Sequence, residues 1–187
     1  MADFFPAIDD SHRAFIEKQP VFFVATAAAG ARVNLSPKGM DVFRVLGPNR
    51  VAYLDLGGSG NETQAHLAVD GRITIMFCAF DNPALILRLY GRGSFIGVDD
   101  AGFDEMMVHF TPLPGMRQIF VVEVDSVQTS CGWGVPRMTF ERERDTLVRY
   151  HAQQVPEERL AKIADRTRSI DGLPVIVQQS YYTGTPG

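Results

Sequence analysis

The sequence predicts a mainly β protein: an antiparallel barrel with short peripheral helices, built from 187 residues. Segments with strand composition fill the middle of the chain. The connections between them are mostly too short for the crossovers that parallel strands need. The long segment 84–98 contains Gly91 and Gly93, and glycines inside a strand are typical of a bend at a barrel corner. These observations favour an antiparallel barrel over a doubly wound α/β sheet.

Composition narrows the possible partners. Hydrophobic residues make up 45% of the chain and charged residues 21%, as in an ordinary globular protein. The net charge of -4 argues against nucleic acid, whose binders carry a basic face. Cys78 and Cys131 form no paired motif, so neither a disulfide framework nor a zinc site is expected. No segment is typical of a signal peptide or of a membrane span, so we expect a cytoplasmic protein with no membrane partner.

The first part of the chain combines one helix with four strands. Residues 11–18 are helical in pattern, with Ser11 as the N-cap and Pro20 as the stop signal. Residues 1–10 are expected to be a loose lead-in. Strands are expected at 21–27 and 32–36, followed by a hairpin of 41–46 and 50–56 around the Gly-Pro-Asn turn at 47–49.

The middle of the chain alternates helices and strands. Ser59 and Glu62 form a capping-box pattern, so a short helix is expected to begin there and to end before Gly71. Strand-forming runs with a two-residue period then predict strands at 72–80, 84–98 and 118–130, with a helix at 103–110.

The last part of the chain carries the helical pattern of a tail. Asp99 and Asp100 precede the helix expected at 103–110, and we expect them to cap it. Residues 141–170 are helical in pattern, with a break at Pro156. Residues 171–187 are expected to form a loose or packed arm.

The first candidate ligand-binding segment is the glycine-rich turn at 57–63, which follows an expected strand and precedes an expected helix. Backbone N–H groups at a helix N-terminus carry partial positive charge and suit a phosphate group. Asn61 and Thr63 add side-chain donors. The segment is neither a Walker A loop nor a dinucleotide fingerprint, because its glycine spacing and following residues differ. A tight strand-to-helix turn without a ligand explains the pattern equally well.

The second candidate is the segment RVNLSPKG at 32–39. Arg32, Asn34 and Ser36 fall on one face of the expected strand, so their donors line up along it. The planar guanidinium matches a phosphate group, and Lys38 adds a mobile positive charge. The solvent face of an edge strand is the alternative interpretation.

The third candidate is Trp133, which stands between two glycines in the segment CGWGVP. The indole is placed either to stack on a planar ligand or to cap the core. Cys131 beside it is expected to be a small buried residue. The four histidines lack ligand spacing and no Gly-x-Ser-x-Gly elbow occurs, so we expect neither a metal site nor a serine hydrolase.

Four segments, taken in order, resemble the pyridoxamine 5'-phosphate oxidase-like family of flavin-binding split barrels. They are RVNLSPKG at 32–39, YLDLGGSGNET at 53–63, GRITIMFCAF at 71–80 and LRLYGRG at 87–93. The resemblance covers about residues 15–150 and points to an oxidase-related branch. It implies an antiparallel split barrel at 1–150, followed at 151–187 by a helical C-terminal extension packed on the barrel or on a dimer partner.

The resemblance also implies a homodimer with two FMN molecules in grooves between the subunits. Residues of the early strand would line the flavin, residues of the turn would hold the phosphate, and the indole would come from the partner chain. These expected cofactor contacts are Arg32, Asn34, Ser36 and Lys38 on the strand, Ser59, Asn61 and Thr63 in the turn with Gln64 close by, and Trp133.

The chain also departs from the true pyridoxamine phosphate oxidases. Those enzymes have a basic pair where this chain has Gly60 and Asn61, and Trp-Gln-Gly and Arg-Leu-His segments that are missing here. We therefore expect a flavin but not the vitamin B6 reaction.

The expected function is an FMN-dependent oxidoreductase that acts on an unidentified small organic substrate and takes electrons from a nicotinamide or another donor. No side chain is compelling as a catalytic acid or base. Two alternatives stay open: a flavin or haem binding or sensor protein without turnover, and a deazaflavin in place of FMN.

Overall fold

A computed structural model describes residues 2–180 and residue 182. The described strands are β1 Ala2–Phe5, β2 Phe22–Thr26, β3 Asn34–Lys38, β4 Phe43–Gly47, β5 Arg50–Leu56, β6 Arg72–Cys78, β7 Ile86–Gly97 and β8 Met116–Ser130. The described helices are α1 Asp10–Lys18, α2 Glu62–Val69, α3 Phe103–Met107, α4 Thr146–Ala152 and α5 Pro156–Ile163. Of these helices, none is long and apolar enough to cross a membrane.

One sheet contains all eight strands, in the order β3-β2-β6-β7-β8-β5-β4, with β1 paired to the far end of β8. Every pairing is antiparallel. The sheet curls until Phe22 of β2 packs against Phe43 of β4 and Tyr53 of β5, at ring-centroid distances of 5.0 and 5.6 Å. The antiparallel barrel that the sequence predicts is therefore confirmed.

The apolar core fills the inside of this curled sheet. Side chains alternate along β2, where Phe22, Val24 and Thr26 are buried and the residues between them are half-buried. The central strands add fully buried branched residues such as Ile75 and Leu89. Burying side chains of this size contributes about 1.5–3 kcal/mol each, so the barrel needs no metal or disulfide to hold its shape.

The glycines of β7 mark the bend in the barrel. The β7–β8 register shifts between Tyr90 and Gly91. A Cβ on Gly91 would overlap the backbone carbonyl of Glu123 on β8. Only a residue without a side chain lets the two strands approach this closely, which explains the glycine that interrupts the predicted strand.

Helix α2 is placed where its N-terminus meets the glycine-rich turn. The helix packs on β2 and β7 and buries Ala65, His66 and Leu67. The Nδ1 atom of His66 lies 3.0 Å from the hydroxyl of Thr26 on β2. These contacts fix the first turn of the helix next to β3, which neighbours β2 in the sheet.

The C-terminal part of the chain packs against the same turn. The imidazole Nε2 of His151 on α4 lies 2.7 Å from the carbonyl of Gly57. A Cβ on Gly115 would overlap the His151 ring, so this glycine makes room for the helix. After α5, the segment 164–180, which we call the C-terminal arm, runs over the turn and the start of α2.

Several boundaries differ from the sequence-based expectation. Helix α1 is capped by Asp9 rather than Ser11, in a capping box closed by His12. Helix α2 begins at Glu62 with Asn61 as the N-cap residue, so the expected Ser59 cap is wrong. In the first case Asp9 accepts the His12 N–H at 2.8 Å, and in the second Asn61 makes no side-chain cap hydrogen bond.

The first described residues and the Asp99-Asp100 pair also differ from the expectation. Residues 2–5 form β1 on β8 instead of a loose lead-in. Asp100 accepts the Gly97 N–H at 2.7 Å and Asp99 accepts the Gln179 N–H at 2.6 Å, while Gly102 is the N-cap of α3. The expected Asp99-Asp100 helix cap is therefore wrong, and Asp99 anchors the arm instead.

Candidate functional site

A cavity of about 210 Å³ lies between β3 and the glycine-rich turn, and we call it the strand–turn cavity. Six residues predicted to bind a cofactor line it. Strand β3 contributes Asn34, Ser36 and Lys38, and the turn and the start of α2 contribute Ser59, Asn61 and Thr63. Two segments that are far apart in sequence thus place polar side chains around one space.

Direct contacts tie the two segments together. The side-chain amide of Asn34 donates to the hydroxyl of Thr63 at 3.1 Å and to that of Thr26 at 3.3 Å. The hydroxyl of Ser36 is buried and has no hydrogen-bond partner among the described residues. A buried hydroxyl without a partner is costly. The strand–turn cavity therefore has the composition of a site that a polar ligand completes.

The N-terminus of α2 also lines the strand–turn cavity. Its N-cap residue, Asn61, makes no side-chain cap hydrogen bond. The oxygen of the Asn61 side chain instead accepts a hydrogen bond of 2.8 Å from Gln118. This leaves the NH₂ group of Asn61 and the first backbone N–H groups of the helix to bind an anion.

A buried carboxylate organises the charges at the floor of the cavity. Asp55 on β5 has a side chain that is 1% exposed. It accepts hydrogen bonds from Lys38 at 2.9 Å, Arg117 at 2.7 Å and Gln118 at 2.9 Å. Burial raises the pKa of Asp55, but the charges of Arg117 and Lys38 and the hydrogen bonds from Gln118 and Arg117 outweigh it and lower the pKa to about 2. The cluster holds one negative and two positive charges at neutral pH.

Sequence reasoning missed Asp55, Arg117 and Gln118. The available signal was an aspartate inside the otherwise apolar strand VAYLDL, because a buried charge is rare unless it is paired. Its partners lie on β3 and β8, and only the strand order of the sheet brings them together.

Two expected cofactor residues are engaged by the C-terminal arm. Arg32 lies outside the cavity lining, where its exposed side chain pairs with Asp171 and its backbone N–H donates to the same carboxylate at 2.8 Å. Gln64 is buried. Its amide donates to Gln118 at 2.7 Å and accepts from the Ile176 N–H at 2.7 Å. Both side chains hold the arm in place.

Trp133 is not among the residues that line the strand–turn cavity. It lies in the loop after β8, and 85% of it is exposed. It therefore does not cap the core of its own chain. Cys131 is exposed as well, so the expectation that it is buried is wrong.

Two larger spaces adjoin the strand–turn cavity. Beyond the turn, an arm cavity of about 680 Å³ lies under the C-terminal arm and shares residues 58–62 and Arg117 with it. Beyond Lys38, an apolar groove of about 1120 Å³ is lined by Met40, Phe80 and Met138, among others. The small cavity is thus the junction between an arginine-rich space and an apolar one.

The sequence itself decides the family. A family model described as pyridoxamine 5'-phosphate oxidase matches residues 8–131, well over half of the chain. The chain belongs to the pyridoxamine 5'-phosphate oxidase family. A relative within this family is the pyridoxamine 5'-phosphate oxidase family protein ustO of Aspergillus flavus. It is 37% identical over 199 residues, which cover 93% of this chain and 78% of that protein.

Solved structures agree with the fold of the pyridoxamine 5'-phosphate oxidase family. A tagged variant of HupZ from Group A Streptococcus has a TM-score of 0.53 at 17% identity, covering 66% of this chain and 99% of that one. A Lactobacillus delbrueckii protein, provisionally named a pyridoxamine 5'-phosphate oxidase, has a TM-score of 0.53 at 13% identity, covering 66% and 94%. The predicted antiparallel split barrel with short helices is confirmed.

The strand–turn cavity of this family member fits a phosphate group. It offers neutral donors, the unpartnered Ser36 hydroxyl and the uncapped start of α2, and groups of these kinds bind phosphate oxygens in proteins. Among residues 2–180 and 182, no three His, Cys, Asp or Glu side chains are grouped closely enough to hold a metal ion.

Proposed function

We propose that the protein is an FMN-dependent oxidoreductase that acts on a small organic substrate. The observation that carries the proposal is the convergence of Asn34 and Ser36 with Asn61 and Thr63 around one cavity at the open end of α2. Membership of the pyridoxamine 5'-phosphate oxidase family supports the same cofactor class.

The proposed orientation of the cofactor follows from the sizes and linings of the spaces. The strand–turn cavity, at about 210 Å³, is smaller than the roughly 300–1,000 Å³ of sites that enclose whole ligands. It would therefore take the phosphate and adjacent atoms. Strand β3 leads from it, past Lys38, to the apolar groove, whose Met40 and Phe80 suit a flat ring.

A bound flavin supplies hydride and electron transfer through its N5 position. The residues of this chain would bind and orient it. Asp55 stays a carboxylate at neutral pH because its pKa is about 2, so it is not a proton donor there. Its proposed role is to hold Lys38 and Arg117 in place beside the ligand.

We also propose that two copies of the chain form the active unit. Strand β3 lies at one edge of the sheet, and Val33 and Leu35 beside the cavity are 74% and 65% exposed. Trp133 is exposed as well, so a partner chain could cover all three. In this proposal, residues 1–150 form the binding barrel and 151–187 form a C-terminal extension, whose described segment 164–180 lies over the turn. The free Cys78 and Cys131 suit the cytoplasm.

The second candidate is a flavin carrier without turnover. It is favoured by the engagement of the titratable side chains among the described residues that line the cavity: Lys38, Asp55 and Arg117 are paired with each other, and Glu62 accepts the Ile170 N–H. A deazaflavin carries a phosphate too and fits the same argument. Haem is not proposed, since none of the described residues that line the cavity is a histidine.

The visible spectrum of the purified protein, followed by anaerobic mixing with NADH and NADPH, separates these candidates. Flavin absorbance, as purified or after incubation with FMN, and rapid bleaching by either nucleotide would support the oxidoreductase. Stable absorbance without bleaching by any donor tested would favour the carrier. Tighter binding of a deazaflavin than of FMN would show that the cofactor is a deazaflavin. Binding of neither would contradict the proposal.

A further inference from the structure

A chain of buried hydrogen bonds runs from α2 through β2 to β3. His66 on α2 is 1% exposed and Thr26 on β2 is 3% exposed. The Nδ1 atom of His66 lies 3.0 Å from the Thr26 hydroxyl, and that hydroxyl accepts a hydrogen bond of 3.3 Å from the side-chain amide of Asn34. The chain therefore joins a buried imidazole to a residue that lines the strand–turn cavity.

The Thr26 hydroxyl fixes the direction of this chain, because a hydroxyl has one hydrogen to donate. Among the described residues, its hydrogen-bond partners are His66 and Asn34. The amide nitrogen of Asn34 only donates, so the hydroxyl hydrogen goes to Nδ1 of His66, which accepts it. The other ring nitrogen, Nε2, is buried and has no hydrogen-bond partner in the described part of the chain. Thr26 is thus the polar contact that sets which nitrogen of the ring carries the hydrogen.

The amide of Asn34 has only an acceptor left for a ligand. Its nitrogen donates to Thr26 at 3.3 Å and to Thr63 at 3.1 Å, which uses both hydrogens. Its oxygen, Oδ1, accepts no hydrogen bond from any residue in 2–180 or from residue 182. Because Asn34 lines the strand–turn cavity, a ligand there would meet an acceptor at this residue.

Asn61, on the other segment that lines the cavity, has the opposite polarity. Its oxygen accepts a hydrogen bond of 2.8 Å from Gln118, which also donates to the carboxylate of Asp55 at 2.9 Å. A carboxylate only accepts, so this second chain leaves the NH₂ group of Asn61 for a ligand. The cavity therefore offers one donor amide and one acceptor amide, and a different buried group sets each of them.

We propose that His66 is a positioning residue, which acts through Thr26 to hold Asn34 as the acceptor for a hydroxyl of the ligand. With the hydrogen on Nδ1 instead, Thr26 would accept from His66 and donate to Asn34, whose amide would turn and present its NH₂ group. Only the identity of the ligand rests on the proposed function, since a flavin carries ribityl hydroxyls. The polarity of Asn34 belongs to the ligand-free protein.

Hydrogen exchange of the side-chain amides measures this polarity by NMR in the ligand-free protein. The signal of Asn34 is identified by its loss in Asn34→Asp. Two other amides calibrate the rates: that of Asn49 donates to two backbone carbonyls, and the NH₂ group of Asn61 has no partner among the described residues. In the wild type, the Asn34 amide should exchange at least about tenfold more slowly than that of Asn61. Exchange as fast as that of Asn61 would overturn the proposal without any variant of His66.

Variants of His66 test the chain itself. His66→Leu removes the acceptor of the Thr26 hydroxyl, so the hydroxyl should donate to Asn34 and turn its amide. Exchange should then rise to within about twofold of that of Asn61. His66→Asn keeps an acceptor at the place of Nδ1 and should retain slow exchange. The control His12→Leu removes another buried histidine, in the capping box of α1, and should also retain it.

Thermal unfolding checks that each variant is folded. Slow exchange of the Asn34 amide in a folded His66→Leu protein would overturn the proposal, because the imidazole would then not set its polarity.

Flavin titrations of the same variants test the contact with a ligand hydroxyl. FMN and riboflavin carry the same ribityl hydroxyls, so His66→Leu should bind both at least about tenfold more weakly. His66→Asn and His12→Leu should stay within about twofold of the wild type. A loss confined to FMN, or no loss for either flavin, would overturn the assignment of a hydroxyl to Asn34. If the wild type binds neither flavin, the proposed function fails, and the exchange rates alone decide whether His66 sets the polarity of Asn34.

Discussion

At the scale of single residues, the buried Asp55 is the centre of the site. One carboxylate holds Lys38 and Arg117 from two different strands, and Gln118 links it to Asn61 at the turn. Removing it would leave two partly buried cations facing each other without a counter-charge. The same group therefore supports both the fold and the shape of the proposed phosphate site.

We expect Asp55→Asn to lower the free energy of unfolding by about 3 kcal/mol at pH 7, because it breaks a buried ion-pair cluster. The folded-state pKa, about 2, lies below the model-compound value of 3.8, so this stabilisation is complete above about pH 4 and is lost as the pH falls toward 2. By pH 3 the gap between wild type and variant in urea unfolding should narrow by about 1 kcal/mol.

The control for this prediction is Asp41→Asn, which breaks the ion pair of an exposed carboxylate with Arg44 and should cost less than about 1 kcal/mol. An Asp55→Asn gap that stays constant from pH 7 to pH 3 would show that the charge of Asp55 is not the stabilising feature.

The variant Ser36→Ala tests whether the unpartnered hydroxyl of Ser36 binds a ligand. Because the Ser36 hydroxyl has no partner among the described residues, Ser36→Ala should change the free energy of unfolding of the ligand-free protein by less than about 0.5 kcal/mol. The variant should bind FMN about tenfold more weakly, because a hydrogen bond to a charged group is lost, and riboflavin almost unchanged. Fluorescence titration with both flavins measures this. An equal loss for the two would place Ser36 away from the phosphate.

At the scale of elements, local sequence patterns predicted most of the strands. They did not predict strand β1 or the extent of the helices after residue 140. The hairpin partner β5 has the predicted bounds, because its apolar run and the preceding turn are encoded within a few residues. Strand β1 was missed because its partner residues, 127–130, lie more than 120 positions away in the sequence. The helical pattern at 141–170 became α4 and α5 only, and the charged residues before α4 form no helix.

In the candidate site, too, local features were predictable and contacts between distant residues were not. The donors of Asn34, Ser36, Asn61 and Thr63 were visible as side-chain types on a strand and a turn. The pairing of Arg32 with Asp171 joins residues 139 positions apart, and no local pattern encodes it. Contacts of this kind depend on the whole fold, so the sequence alone left Arg32 among the expected cofactor residues.

The bend in β7 gives a prediction about the sheet. Gly91→Ala should lower the free energy of unfolding by at least about 2 kcal/mol, because the new methyl group would overlap the Glu123 backbone, which cannot move without breaking the ladder. Gly47→Ala in β4 meets open space and should change it by less than about 1 kcal/mol. Denaturant unfolding compares the two, and equal effects would mean that the β7–β8 approach is looser than described.

At the scale of the whole molecule, the exposed edge beside the cavity predicts a dimer. Wild type should elute as a dimer in size-exclusion chromatography with light scattering. Leu35→Asp should shift it to the monomer and weaken FMN binding, because a charge would be buried in the interface. Val108→Asp changes an apolar residue that is at least as exposed and lies away from β3, and this variant should stay dimeric. A monomeric wild type that binds FMN fully would contradict the proposed assembly.

The proposed phosphate site at the open end of α2 is tested most directly by titrating the wild-type protein with FMN and with riboflavin under the same conditions. The two ligands share the ring and the ribityl chain and differ in the phosphate. With at least two charge-assisted contacts to that group, FMN should bind about 100-fold more tightly or better. Equal affinities, or no binding of either flavin, would contradict a phosphate site formed by β3 and the glycine-rich turn.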